Sequence, residues 1–357
     1  MNGIGAGGLV STLGVVLGAV LSSAVLTALL TVYSRWRGIV DSPGRRRSHR
    51  LPTPRGGGLA IAIVVLAWEC WRMAMLPRDA AGSRWLVAAI AIVALVGWRE
   101  DHRETSRRLR LLAHVVAGTC LAAGAGLLTP HPDTIAAALA LMVVTGVAWS
   151  INLHNFMDGI DGLLSMQALF VFFALIVLMA ADMQSTKPAH LIVWAAAIIG
   201  FIPFNFPRAR VFLGDAGSGV LGLLVAQAIL WQWRGSGIAS WTGVVLASAF
   251  LVDASCTLGR RILTRRRWYS AHREHLYQWL VRRGFSHRRV VAVYMIWNLA
   301  AVLPVALWMN RSDAARASPG TVPALLLIAL SVVAWLAGKR WCLAEARHSP
   351  GKDRAIS

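Results

Sequence analysis

Eleven apolar runs, each near the length of a bilayer-spanning helix, constrain this chain more than any other feature. They cover residues 9–30, 57–76, 84–98, 111–128, 134–150, 163–181, 189–206, 217–233, 241–259, 290–309 and 322–338. A hydrocarbon core of about 30 Å needs about 20 apolar residues per helix. Lipid admits only helices or closed barrels, because every backbone polar group must be satisfied within the protein. Runs this long, rich in Leu and Ala, predict helices. Of the 357 residues 57% are hydrophobic, against roughly 45–50% apolar in an ordinary soluble chain. The expected fold class is all-α: a polytopic membrane protein of about 11 transmembrane helices, one domain over 1–357 with a polar tail from about 339. No segment between runs is long enough to bury a core of its own, and no internal repeat is apparent.

A net charge of +20 suggests nucleic acid at first sight, but its placement argues otherwise. All but seven of the 36 Lys and Arg lie in segments that alternating runs put on one side: 31–56, 99–110, 150–162, 207–216, 260–289 and 339–357. The positive-inside rule then predicts an N-terminus outside and a C-terminus inside. Basic inner loops suit anionic lipid headgroups and phosphorylated substrates, and no nucleic-acid partner is expected. The first run has no Lys or Arg before it and Arg35 and Arg37 after it, which reads as an anchor with its N-terminus out. Cys70, Cys120, Cys256 and Cys342 show no CxxC spacing and are expected to be unpaired packing residues.

The unusual polar residues gather in the inner segments. In Asn152-Leu-His-Asn155-Phe-Met-Asp158-Gly-Ile-Asp161-Gly, four carboxamide or carboxylate side chains recur at every third residue. That spacing keeps neighbours on adjoining parts of a helix face, and charge at a membrane boundary usually marks function. The bland alternative is a solvated loop between two helices. In Phe212-Leu-Gly214-Asp215-Ala-Gly217-Ser218-Gly219, one acid sits among small residues at a helix entrance. Glycines let backbone approach a phosphate, a helix N-terminus favours anions, and Asp215 suits Mg²⁺, a hard ion that keeps several waters. The alternative for Asp215 is a simple helix cap.

Three further segments are candidates. Asp41 to Gly58 includes Pro52-Thr53-Pro54-Arg55-Gly56-Gly57-Gly58, a shaped loop or a basic lipid-binding one. Glu100-Asp101 precedes Arg107, Arg108 and Arg110. Adjacent carboxylates raise one pKa, as a general base requires, although a charged helix end would look similar. Asp253, Arg260-Arg261 and Ala271-His272-Arg273-Glu-His275-Leu-Tyr277-Gln278 offer Arg for phosphates. Zinc on His272 and His275 is the rival there and lacks a third ligand. The other histidines, His114 and His287 among them, are expected to be bland. Together the segments suggest phosphoryl transfer with Mg²⁺, phosphate-binding Arg and carboxylates.

These residues resemble the polyprenyl-phosphate N-acetylhexosamine-1-phosphate transferases of glycosyltransferase family 4. The resemblance runs from about Asp41 to Gln278. It implies a multi-pass enzyme of the bacterial cytoplasmic (inner) membrane, N-terminus periplasmic and C-terminus cytoplasmic, with its active site on cytoplasmic loops. Its partners would be a UDP-N-acetylsugar, polyprenyl phosphate and membrane lipid, and the family admits a homodimer. Asp215 matches the Mg²⁺ ligand, with Asn155 sharing the ion (Mn²⁺ being an alternative). Phe212 matches an aromatic that stacks on uracil, and Asp161 a residue at the uracil edge. Asp158 matches a catalytic acid, and Glu100-Asp101 the pair near the lipid phosphate, Asp101 being the expected proton acceptor. His272, Arg273 and His275 match a loop contacting sugar and diphosphate, while Asn152, Arg55, Arg108 and Arg110 are further substrate-binding candidates.

The first member of the pair is usually Asp and here is Glu100, and the His/Arg loop lacks the three consecutive histidines of the lipid I enzyme. The resemblance thus favours the O-antigen-initiating branch, acting on UDP-HexNAc or a deoxy-HexNAc. Transfer by direct attack of the lipid phosphate is preferred to a phospho-aspartate at Asp158. A transporter or flippase of lipid-linked or phosphorylated solutes, a membrane scaffold and a CDP-alcohol phosphotransferase are the competing readings.

Overall fold

The computed structural model describes residues 6–41, 52–75, 80–129, 131–179, 187–234, 238–266, 273–312 and 318–348. Among them the structure is helical except for loops and one short antiparallel pair, Val40–Asp41 with Thr53–Pro54. The helices are α1 (Ala6–Trp36), α2 (Leu59–Met75), α3 (Ala80–His102), α4 (Arg107–Gly124), α5 (Thr134–Met157), α6 (Leu163–Met179) and α7 (Lys187–Asn205). There follow α8 (Gly214–Trp233), α9 (Thr242–Leu246), α10 (Ser248–Leu263), α11 (Leu276–Arg282), α12 (His287–Trp297), α13 (Leu303–Met309) and α14 (Thr321–His348). A π-helical turn, Asn298–Val302, joins α12 to α13.

The local chemistry explains several boundaries. The Ser106 hydroxyl caps α4 by accepting from Leu109 N, and the Asp133 carboxylate caps α5 by accepting from Ala136 N, satisfying N–H groups that a helix start leaves unpaired. Pro203 stands in the last turn of α7, which ends two residues later. Among the described residues each apolar run falls mostly on helix. The run at 241–259 is broken at Ala247 between α9 and α10, and the run at 290–309 contains the π turn.

Seven described helices are long and apolar enough, by length and composition, to cross a membrane: Thr12–Trp36, Gly82–His102, Thr134–Met157, Pro188–Asn205, Gly214–Trp233, His287–Met309 and Thr321–Ala344. The protein is a multi-pass membrane protein. Its exterior supports this, because α1 reverses the arrangement of a soluble helix. Leu13, Leu17, Leu21 and Leu29 are exposed, while Ser23, Thr27 and Thr31 are buried against the bundle. The Ser23 hydroxyl donates to Ala197 O on α7, and Thr27 and Thr31 donate to the carbonyls four residues back. Without water to drive apolar surfaces together, small residues and interhelical hydrogen bonds hold membrane helices.

Helix α8 is the axis of the fold, buried along most of its length and packed by α2, α3, α5 and α6. Close approach depends on small residues. A Cβ on Gly58 would lie 2.6 Å from Gly217 Cα, and one on Gly97 2.5 Å from Ala216 Cα. Asn298 of the π turn donates to Gln167 on α6 at 2.7 Å, and Gln167 donates to Leu246 O at 3.2 Å.

The polar stretch from Lys339, expected as a tail, instead continues α14 to His348. Lys339 reaches back to donate to Glu274 O at 2.8 Å and lies over the Trp335 ring, so tertiary contacts extend the helix past the apolar run.

Candidate active site

The site is assembled at one end of the bundle, where the 52–58 loop meets the start of α8. Phe212 N donates to Pro54 O, and Gly57 and Gly58 N–H donate to Phe212 O and Leu213 O. Two glycines make this possible. Gly56 and Gly214 have φ of +89° and +78°, and a Cβ on Gly214 would stand 2.7 Å from both Asp101 Oδ2 and Gly56 N. Leu213 provides no side-chain cap for α8. Asp101, at the end of α3, supplies one from another helix: its carboxylate accepts from Asp215 N at 3.0 Å and Ala216 N at 3.3 Å. A carboxylate there also suits the positive end of the helix dipole. Arg55 donates to the carbonyls of Glu100 and Asp101, tying the loop to the end of α3.

A cavity of about 280 Å³ opens beside this junction, lined by Asp41, Arg55, Asp101, Asn155, Asp158, Asn205, Phe212, Asp215, Ser218, Arg273 and Gln278 among others. Asn155, in the last turn of α5, donates to Asp215 Oδ1 at 2.5 Å and to Ser218 Oγ at 3.2 Å. Asp158 terminates α5 in a non-helical conformation, and no donor among the described residues hydrogen-bonds its carboxylate. Burial raises the Asp158 pKa well above the usual carboxylate range, and the charges of Asp215, Asp101 and Asp161 add to this. Acids this crowded favour a proton or a cation.

The donor set suits Mg²⁺ of the substrate-dependent kind. Among the described residues no three His, Cys, Asp or Glu side chains form a ready metal cage. Mg²⁺ does not need one, since it is commonly held by one or two carboxylates, waters and substrate phosphates. Asp215 offers a carboxylate into the cavity beside the Asn155 amide.

The candidates divide by where their side chains point. Asp101, Asp158, Asp215, Asn155, Phe212, Arg55 and Arg273 line one cavity. Others do not. Glu100 accepts from Thr105 N at 2.6 Å and pairs with Arg110 at 3.4 Å, so both face the start of α4. Arg108 is exposed on α4. Asn152 donates to His114 and to Ala148 O. Asp161 accepts from Ala209 N at 3.1 Å and meets His287 Nδ1 at 3.2 Å. His275 is buried at the start of α11, 3.8 Å from Asp253, stacked between Phe156 and Tyr277. His272 lies outside the described residues. Helical rotation explains much of this: each three-residue step turns a side chain about 60° around the axis. Asn152 therefore faces α4 while Asn155 faces the cavity, and α5 ends before Asp161.

The family described as glycosyl transferase family 4 matches residues 83–232, a span that holds Asp101, Asn155, Asp158 and Asp215. The decaprenyl-phosphate N-acetylglucosaminephosphotransferase of Mycobacterium tuberculosis is 27% identical over 351 residues, 85% of each chain. The undecaprenyl-phosphate alpha-N-acetylglucosaminyl 1-phosphate transferase of Yersinia pestis is 25% identical over 322 residues, 86% of each chain. The protein of that name in Escherichia coli O157:H7 is 23% identical over 322 residues, 86% of each chain. The chain belongs to glycosyl transferase family 4.

In this family 4 transferase, several residues at or near the site have roles that the sequence alone did not assign. Asn205, at the end of α7, accepts from Gly162 N at 3.0 Å and donates to Val211 O at 3.1 Å. It thereby joins the Asp158–Asp161 turn to the loop before α8. Its one visible signal is a carboxamide between aromatics at the end of an apolar run. His287 was expected to be bland and instead pairs with Asp161. Tyr277 donates to Phe156 O at 3.0 Å and packs against Gly159. Asp253 ties four elements together: its carboxylate accepts from Leu276 N, Trp335 Nε1, Tyr294 OH and Thr257 Oγ1.

Proposed function

We propose that this protein transfers N-acetylhexosamine-1-phosphate, or its deoxy form, from a UDP-sugar to undecaprenyl phosphate, releasing UMP. The lipid-linked product would initiate a cell-surface glycan such as O-antigen. The observation that carries this reading is the convergence of Asp158, Asp215, Asn155, Arg55 and Arg273 on one cavity, in a chain whose relatives are named for transfer of this kind. On this reading the chain crosses the bacterial inner membrane eleven times, with this cavity facing the cytoplasm, as the charge distribution predicts.

Asp215 and Asn155 would hold Mg²⁺, which when bound offsets charge on the diphosphate under attack. Arg55 and Arg273 bind phosphate oxygens, where a guanidinium fork is well matched. Phe212 offers a ring for uracil to stack on. Asp158 takes the proton from the polyprenyl phosphate, since it lines the cavity with no donor on its carboxylate among the described residues and burial raises its pKa, as a general base requires. Asp101 is engaged by two amides of α8 and positions Asp215. The lipid phosphate oxygen then bonds to the β-phosphorus as the bond to UMP breaks. An apolar cavity of about 550 Å³ between α5, α8 and α10 reaches His154, next to Asn155, and suits a polyprenyl chain.

The test is UMP release by the purified protein with undecaprenyl phosphate, Mg²⁺ and a panel of UDP-N-acetylsugars. Release with one donor, dependent on both lipid and Mg²⁺, is expected and names the sugar. Folded protein that releases no UMP with any UDP-N-acetylsugar or deoxy analogue overturns the reading.

A further inference from the structure

The opposite end of the bundle carries a second cavity, of about 320 Å³, among α3, α4, α7 and α8. These are the helices whose other ends bear Asp101, Arg110, Asn205 and Asp215. At about 1.5 Å per residue, the stretch of α8 between the residues that line each cavity sets the two roughly 20 Å apart. No step of the transfer reaction uses this second cavity.

Each of its polar side chains can donate a hydrogen bond or carries a cation, and none is acidic. Gln227 is 6% exposed and lines the cavity, and its amide has no hydrogen-bond partner among the described residues. His190, 5% exposed, also lines it. The His190 Nδ1 lies 2.8 Å from Glu69 Oε1, and the wholly buried Glu69 also accepts from Trp194 Nε1 at 3.1 Å. That pairing fixes the orientation of the ring at the cavity wall. Ser83, in the first turn of α3, and Arg234, at the exposed rim, complete the set. No Asp or Glu lines the cavity. The first turns of α3 and α7 both contribute to it, and helix N-termini favour anions. Trp85 and Trp231 flank the opening, as indole rings do at the boundary between lipid and water.

A buried unpaired amide, an oriented imidazole, a hydroxyl and a guanidinium, with no acid among them, form an anion site. We propose that this cavity binds a phosphate-bearing anion, the headgroup of an anionic lipid or free phosphate. The site is independent of the transferase reading.

The experiment is native mass spectrometry of the full chain in detergent, titrated with phosphatidylglycerol, phosphatidylcholine and inorganic phosphate. Wild type is compared with Gln227→Leu and Arg234→Gln. A one-to-one phosphatidylglycerol adduct, at least tenfold weaker in both variants and with phosphatidylcholine, is the expected result. Displacement of that lipid by inorganic phosphate, or phosphate binding alone, with the same loss in the variants, keeps the site and assigns it to free phosphate. Equal retention of phosphatidylglycerol by wild type and both variants, or no retention of either ligand by wild type, overturns the proposal. Should Gln227→Leu fail to fold, Arg234→Gln at the exposed rim decides alone.

Discussion

The carboxylate of Asp101 accepts the backbone N–H groups of Asp215 and Ala216, at 3.0 and 3.3 Å. The acid best placed by sequence to be a base is thus the cap of the helix that presents Asp215, the proposed metal ligand. Its two oxygens are committed to holding Asp215 in register with Asn155.

This arrangement separates two variants. Asn at position 101 retains a carbonyl that can accept one amide, whereas Ala retains none. Losing a helix cap costs about 0.5–2 kcal/mol. Asp101→Asn is therefore expected to keep most of its thermal stability and a measurable rate of UMP release. Asp101→Ala is expected to lose both. Equal loss of activity in the two, with stability intact in both, would show Asp101 to be the proton acceptor.

The link between Asn155 and Asp215 predicts a metal phenotype. Asn155→Ala leaves the carboxylate present but no longer oriented, and loss of such a supporting contact typically weakens metal binding about 10- to 100-fold. The Mg²⁺ concentration for half-maximal UMP release should rise by that factor, with a near-normal rate at saturation. Asp215→Ala should abolish transfer at every Mg²⁺ concentration while the protein remains folded in the membrane. Removing Mg²⁺ from wild type with a chelator should match Asp215→Ala, and adding it back should restore only wild type.

Asp158 sets the pH dependence. Its pKa is raised by burial first and by the neighbouring acids next, so it stays protonated to higher pH than an ordinary carboxyl. A base must be ionised to act. The value of kcat/KM is therefore expected to fall as pH drops, along a limb set above the usual carboxylate range. Asp158→Asn should remove that limb and slow transfer by about 10²- to 10⁴-fold, the usual worth of a general base. A wild-type profile flat down to pH 5 would remove this assignment.

The apolar runs and the two acid-glycine motifs were legible because they are local. A run of apolar residues fixes a helix wherever its neighbours lie, and Gly214 is demanded by a positive φ within its own turn. Facing is not local. Glu100 adjoins Asp101, yet it closes the loop at Thr105 while Asp101 caps α8. Asp161 continues the three-residue pattern beyond the end of α5, and its partners come from 209 and 287. His287 looked bland because nothing nearby in sequence identifies a partner 126 residues away. Asn205 was missed for the same reason.

Asp253 supplies the last prediction. It stands in α10, 2% exposed, and receives donors from α11, α12 and α14 as well as Thr257 on its own helix. Directly before α11 lie Arg273, which lines the candidate active-site cavity, and Glu274, which is held by Arg261, Arg266 and Lys339. Asp253→Ala would strand Leu276 N, Trp335 Nε1 and the Tyr294 hydroxyl, and a buried unpaired donor costs about 1–3 kcal/mol. A marked fall in Tm is expected, together with a raised KM for the UDP-sugar because Arg273 loses its support. Burial acts to raise the Glu274 pKa, but the Arg266 hydrogen bond and the charges of Arg261 and Lys339 outweigh it and leave it below 4.5. A carboxylate depressed in this way stabilises the fold at neutral pH, and the stabilisation is lost only as pH falls through the lowered value. The stability deficit of Glu274→Gln relative to wild type should therefore be constant from pH 6 to 8 and narrow only in acid. A deficit that already narrows above pH 6, or an Asp253→Ala protein with unchanged Tm, would break the proposed link between α14 and the cavity.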